Sequence, residues 1–196
     1  MSNPVKAVLD RHIDDDPPRL DFSVPIDRLI DIDHCETLST DIQQAAPDGW
    51  EVVKATKSAW RMIPASPGLY MFVWHPTLGL KVAASGHRKT FPYVLYVGKA
   101  GDGRNRSNLK ARYKTEYAHL VASDPEILWD GNPANTRESR LRRYLALRPL
   151  QFWYCAIDDG SVIANLERRI FSVISPPLNS AGSPRLRATG KSQPAF

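Results

Sequence analysis

The sequence predicts an α+β fold: a small three-stranded antiparallel sheet packed by helices, preceded by an N-terminal extension. Three observations lead there. Short apolar runs at 69–74 (LYMFVW), 93–97 (YVLYV) and 150–157 (LQFWYCAI) have strand length, and the first is apolar on both faces, as a buried strand is. Segments at 109–121, 135–147 and 161–174 have helical length and patterning. The first two apolar runs lie close enough in sequence to pair as an antiparallel hairpin.

Taken in order, residues 1–25 are rich in Asp and Pro (Asp14-Asp15-Asp16-Pro17-Pro18) and read as extended or partly disordered. A helix is expected from about Thr37 to Ala46, stopped by Pro47-Asp48-Gly49, with a short strand over Trp50–Ala55. Residues 75–92 read as a loop containing Gly79, Gly86, His87, Arg88 and Lys89, and 101–108 as a basic loop. Ser107 or Asn108 can cap the helix from Leu109. Asn135-x-x-Glu138 resembles a capping box for the next helix, which carries Arg137, Arg140, Arg142 and Arg143 and ends before Pro149. Ser161 reads as the cap of the last helix, and the Ser, Gly, Pro and basic tail over 181–196 as a flexible segment. This divides the chain into an acidic extension (1–60), a principal domain (61–180) and a tail.

Charge follows the same division. The net +5 combines 6 Lys/Arg against 12 Asp/Glu in Met1–Trp60 with 20 against 9 in Arg61–Phe196. A region at +11 suggests a polyanionic partner, nucleic acid first. No apolar run approaches the roughly 18 residues of a membrane helix, and the N-terminus has no signal-peptide pattern. A soluble cytoplasmic protein with no membrane partner is expected. Cys35 and Cys155, the only cysteines, read as two reduced thiols rather than a disulfide; with no H-x3-5-H pair among five histidines they make no zinc site.

The chemistry centres on VLYVGKA, residues 94–100. A phosphate cradle of the Walker type would need G-x-x-x-x-G-K-[ST] leading into a helix, whereas Lys99 is followed by Ala100 and no Ser or Thr stands ready for magnesium. Gly68-Leu69-Tyr70 opens the first strand and Tyr96-Val97-Gly98 lies in the second. Lys99 follows, then Arg112 on the next helix, Glu167 on the last, and Asn179 after Pro176-Pro177. In this order the residues resemble the GIY-YIG nuclease family over about Pro67 to Asn179. The resemblance implies a metal-dependent DNA endonuclease, with a tyrosine activating water, Arg112 on the scissile phosphate and a magnesium or other divalent ion such as manganese on Glu167. It implies catalytic roles for Tyr70, Tyr96, Lys99, Arg112 and Glu167, and structural roles for Gly68, Gly98 and Asn179. The family commonly places Tyr or His one turn after the helix arginine; this chain has Glu116 there, with Tyr117 the stronger substitute and Tyr113 the weaker.

The residues can also be weighed by themselves. Glu167 borders the apolar face formed by Val162, Ile163, Leu166, Ile170, Val173 and Ile174, and has no cation three or four residues away. It therefore needs a metal, a distant arginine or a protein donor, and hard divalent ions prefer such oxygen ligands. Arg112 offers two parallel donors to a phosphate, though Glu116 could pair with it instead. Arg104, Arg106, Lys110 and Lys114 are placed to hold flanking phosphates of DNA. A free phenol has a pKa near 10, and bringing it to neutrality takes roughly 4 kcal/mol. Lys99, three residues from Tyr96, is one source of that stabilisation, and a proton relay through Tyr70 is another. Tyr70 is accordingly read as the residue that activates water and Tyr96 as orienting it. A site-specific cutter of both strands suits a two-fold homodimer. The alternative is a non-catalytic nucleic-acid-binding module on the same scaffold.

Overall fold

A computed structural model describes residues 4–179 apart from 16–17, 19–21, 23, 82, 84–87, 104–106 and 132–133. The tail, and the basic-loop positions Arg104 and Arg106, lie outside the described residues. The fold is α+β. In chain order it comprises helices α1 (Pro4–Arg11), α2 (Ile26–Leu29) and α3 (Ile32–Ala45), then strand β1 (Glu51–Lys54) and a 3-10 turn at Ala59–Arg61. Next come strands β2 (Gly68–Trp74), β3 (Gly79–Lys81), β4 (Arg88–Thr90) and β5 (Tyr93–Ala100). Helix α4 (Leu109–Arg112), a π-helical turn (Tyr113–Tyr117), a 3-10 turn (Pro125–Trp129), α5 (Arg137–Tyr144), β6 (Leu150–Ala156) and α6 (Gly160–Ile174) complete it.

The principal sheet has four antiparallel strands, in the order β1-β6-β2-β5, rather than the expected three. The fourth, β1, comes from the segment read as an extension: Glu51–Lys54 pairs with Tyr154–Gln151. Helix α3 of the same segment packs on α6, where Asp41 pairs with Arg169. Within the segment read as a loop, β3 and β4 pair as a separate two-stranded antiparallel sheet that is largely exposed. Helix α1 also departs from expectation. Its Val8 is buried, Arg11 pairs with Glu126, and His12 stacks on Trp129 at 4.8 Å, so it is held against the 3-10 turn.

β2 is central and buried on both faces because its alternate residues feed two cores. Tyr70 and Phe72 join Leu95, Phe152 and Tyr154 beneath Leu109, Tyr113, Tyr117, Leu141 and Leu145. Leu69, Met71 and Val73 join Val97 and Cys155 beneath Ile163, Leu166 and Ile170 of α6 and Leu38 of α3. Burial of each such α6 side chain contributes about 1.5–3 kcal/mol as an upper estimate. The layers are therefore α3 and α6, the sheet, then the α4, π-turn and α5 side.

Caps fix where helices begin. Asn108 Oδ1 accepts from Ala111 N at 2.8 Å and starts α4. The box on α5 lies one residue later than expected: Thr136 Oγ1 accepts from Ser139 N at 3.0 Å, and Ser139 Oγ accepts from Thr136 N at 3.1 Å. α6 is capped by Asp159, not Ser161; Asp159 has extended backbone angles and its carboxylate accepts from Ser161 N at 2.9 Å, while Ser161 is already helical. Cys35 and Cys155 are both free thiols. Among the described residues no helix is long and apolar enough to cross a membrane.

Candidate active site

The β2–β5 pairing sets Tyr70 opposite Gly98. A Cβ on Gly98 would sit 2.5 Å from Tyr70 Cζ and Oη, so the phenol ring crosses the strand where glycine leaves room. Gly68 is equally constrained: a Cβ there would lie 2.1 Å from the Cys155 carbonyl oxygen. Simple alternation would put Leu95 and Tyr96 on opposite faces. A bulge resets it: Phe72 pairs with Tyr96 but Val73 with Val94, leaving Leu95 as the extra residue. Leu95 and Tyr96 consequently pack on the same face as Tyr70, while Val94 and Val97 pack on the other.

Helix α4 delivers the next residues. Its continuation is a π turn, with Ala118 N donating to Tyr113 O at 2.9 Å. Both Tyr113 and Tyr117 are buried beneath it. Tyr113 Oη donates to Thr56 O at 2.8 Å, and Tyr117 Oη lies 2.8 Å from Tyr70 Oη. The Tyr70 ring centroid is 5.7 Å from that of Tyr117 and 6.2 Å from that of Tyr96. Three phenols thus form one cluster, to which Arg137, from α5, adds a cation. Its Nη2 donates to Tyr96 Oη at 3.2 Å and to Tyr117 Oη at 3.3 Å, and its guanidinium carbon lies 5.8 Å from the Tyr96 ring centroid. Arg112 Nε donates to Lys99 O at 3.5 Å, and its Nη1 pairs with Glu116 Oε1. Glu116 Oε2 is 3.5 Å from Arg137 Nη2, so one carboxylate bridges two guanidiniums.

The remaining residues approach from the other layer. Lys99 lies three positions after Tyr96, an odd step that turns its side chain to the α6 face. Its Nζ is 3.1 Å from Glu167 Oε2 and 3.3 Å from Asp102 Oδ2. Lys99 therefore does not face the Tyr96 phenol, as the sequence spacing suggested. It joins the two halves instead: its carbonyl receives Arg112 on one side, and its ammonium meets Glu167 on the other. β5 is an edge strand, so both halves meet around one margin of the sheet.

Electrostatics distinguish these groups. Burial pushes the Tyr70 phenol well above its ordinary value, and its phenolic neighbours Tyr117 and Tyr96 add to this, against a smaller opposing effect of Arg112. Tyr70 is buried with its hydroxyl committed to Tyr117, which argues against the expectation that it takes a proton from water. Tyr117 is likewise raised, chiefly by burial. Desolvation works against the Lys99 ammonium, but Glu167 and Asp102 more than offset it and hold the pKa above the usual lysine value. Desolvation similarly opposes charge on Arg112 and Arg137, and the surrounding phenols and, for Arg112, the Glu116 carboxylate outweigh it.

The other expected residues have distinct surroundings. Asn179 binds the edge of β5 as a neighbouring strand would: its Oδ1 accepts from Val97 N at 2.8 Å and its Nδ2 donates to Val97 O at 2.6 Å. Lys114 is exposed, with its Nζ 4.7 Å from the Trp60 ring centroid, and Lys110 is partly buried on α4. Among the described residues no group of three or more His, Cys, Asp or Glu side chains gathers as a metal centre. Glu167 and Asp102 nonetheless converge on one cation, the Lys99 ammonium. Both carboxylates carry oxygen donors of the kind hard divalent ions take, and in this structure the ammonium is the cation between them. Sequence reasoning missed Arg137 and Asp102 as parts of the site, and only tertiary packing brings Arg137 to Tyr96 across 41 positions. No family model, curated protein or solved structure matches the chain.

Proposed function

We propose that the chain is a metal-dependent phosphodiesterase, a DNA endonuclease similar to the GIY-YIG nucleases. The observation that carries this reading is the gathering of Tyr70, Tyr96, Tyr117, Arg112 and Arg137 at the margin of β5, joined through Lys99 to Glu167. The +11 balance of residues 61–196 suits a DNA partner.

In this reading Arg112 leaves Glu116 to take two phosphoryl oxygens and stabilises the charge that develops in the transition state. Tyr96 is only partly buried, so water can approach its hydroxyl, and Arg137 holds that hydroxyl in place. Tyr96 orients the attacking water and relays its proton, taking it at the phenol oxygen as the phenol's own proton passes to solvent, while Tyr70 and Tyr117 fix the ring cluster behind it. Glu167, with Asp102 beside it, would hold the divalent ion. When bound, magnesium or manganese supplies Lewis-acid neutralisation of the phosphoryl and leaving-oxygen charge. Lys99 balances the charge of the same two carboxylates. Attack forms the new P–O bond from water as the bond to the leaving oxygen breaks, and that oxygen departs with a proton taken from solvent. Cleavage of both strands would use a two-fold pair of chains.

Purified protein should nick or linearise supercoiled plasmid with magnesium, and Glu167→Ala should not. Plasmid left intact across magnesium, manganese, a range of pH and varied sequences would overturn the enzymatic reading. Salt-sensitive DNA binding under those conditions, unchanged in Glu167→Ala, would assign the non-catalytic binding module.

A further inference from the structure

The bridge at Glu116 carries an inference about substrate binding. The cluster holds two guanidiniums and one carboxylate. Glu116 presents one oxygen to Arg112 Nη1 and the other, at 3.5 Å, to Arg137 Nη2. The O–C–O edge of a carboxylate, accepted by two guanidinium arms, has the shape and sign of the O–P–O edge of a phosphate. The arms do not depend on Glu116 for their positions: Arg112 is also tied to Lys99 O, and Arg137 to the Tyr96 and Tyr117 hydroxyls. Glu116 itself is 29% exposed and sits in the π turn, so its side chain can swing towards solvent.

We propose that Arg112 and Arg137 form a two-arginine phosphate site and that Glu116 is an internal counter-anion occupying it until a phosphate displaces it. The carboxylate keeps two partly desolvated cations paired in the free protein. It also sets a threshold for binding: a phosphate must offer more than Glu116 already does, which favours a polyanion anchored elsewhere on the basic surface over free phosphate. The proposal rests on the nuclease reading only for the identity of that polyanion, a nucleic-acid backbone.

The sign of the Glu116 effect tests it. Inorganic phosphate is titrated by ³¹P chemical shift, and a short DNA duplex by fluorescence anisotropy, both without divalent metal so that no cleavage occurs. Glu116→Gln should bind both ligands about three- to ten-fold more tightly than wild type, the scale of releasing two partly exposed ion pairs. Arg137→Gln should bind both more weakly by a similar factor. Near-ultraviolet circular dichroism checks the fold of each variant. Should Glu116→Gln fail to fold, Glu116→Asp, which withdraws the carboxylate by one methylene, is expected to shift affinity in the same direction. Unchanged or weaker phosphate binding in the folded Glu116 variant, or wild-type binding in Arg137→Gln, would overturn the proposal. Tighter binding by Glu116→Gln from a protein that never cuts DNA would uphold the phosphate site and remove the nuclease reading.

Discussion

Removing the Tyr117 hydroxyl should cost more stability than removing the Tyr70 hydroxyl it touches. Tyr70 is 1% exposed, and its hydroxyl has the 2.8 Å contact with Tyr117 as its hydrogen bond. In Tyr117→Phe that buried hydroxyl loses its partner, at about 1–3 kcal/mol. In Tyr70→Phe the Tyr117 hydroxyl still accepts from Arg137 at 3.3 Å, so the loss is an ordinary hydrogen bond of about 0.5–1.5 kcal/mol. The double variant strands neither group and should be no less stable than Tyr117→Phe alone. The cycle should therefore show a coupling of about 1 kcal/mol or more. Urea unfolding of the four proteins measures it, read from midpoints at a common slope. Single effects that add to within about 0.3 kcal/mol, or a costlier Tyr70→Phe, would refute the picture of one satisfied phenol pair beside Arg137.

Three further outcomes follow from the same geometry. Tyr70, Tyr117 and Tyr154 have raised phenol pKa values, to about 12 for Tyr154, with burial the first cause in each. A raised folded-state value means the folded protein holds its protons longer, so this stability is complete below the ordinary value of 10.0 and falls as pH rises beyond it; unfolding free energy unchanged up to pH 12 would contradict this. Gly98→Ala should cost about 1–3 kcal/mol by pressing on the Tyr70 ring, and combining it with Tyr70→Leu should erase most of that extra cost in urea unfolding. The pKa of His12 is raised, by Asp15 first and Glu126 second. Its contribution to holding α1 is therefore present below 6.5 and lost as pH rises through its folded-state value. Amide exchange in α1, corrected for intrinsic pH dependence, should speed up over that interval, and His12→Gln should remove the change.

How far the sequence could be read is set by how local each signal is. The β2–β5 hairpin, the helix beginning at Asn108 and the last helix were legible because apolar spacing and a capping side chain act within a few residues. The Tyr70–Gly98 crossing was visible only as two short motifs; its reason, a ring lying where a Cβ would sit, belongs to the paired strands. Leu95 required the bulge to share a face with Tyr96 and Tyr70, and alternation counted along one strand cannot reveal that. Glu167 could be recognised as lacking a local cation, but not as meeting Lys99, because one residue's offset decides which side of β5 Lys99 faces. A short strand over Trp50–Ala55 was legible and is β1, but not its place in the principal sheet: exposed at three of its four positions, it gains that place by pairing with β6. Arg137 was one of several arginines on a helix, singled out only by where α5 packs.

The central claim is that side chains on both sides of the β5 margin serve one reaction. The most direct measurement is single-turnover cleavage of a DNA duplex with magnesium, with binding measured in parallel without metal, for wild type, Tyr96→Phe, Arg112→Ala and Glu167→Gln. Cleavage by wild type, its loss by at least about a hundred-fold in Arg112→Ala and Glu167→Gln, and retained duplex binding by Glu167→Gln are predicted. Wild-type cleavage rates in Glu167→Gln would contradict the account.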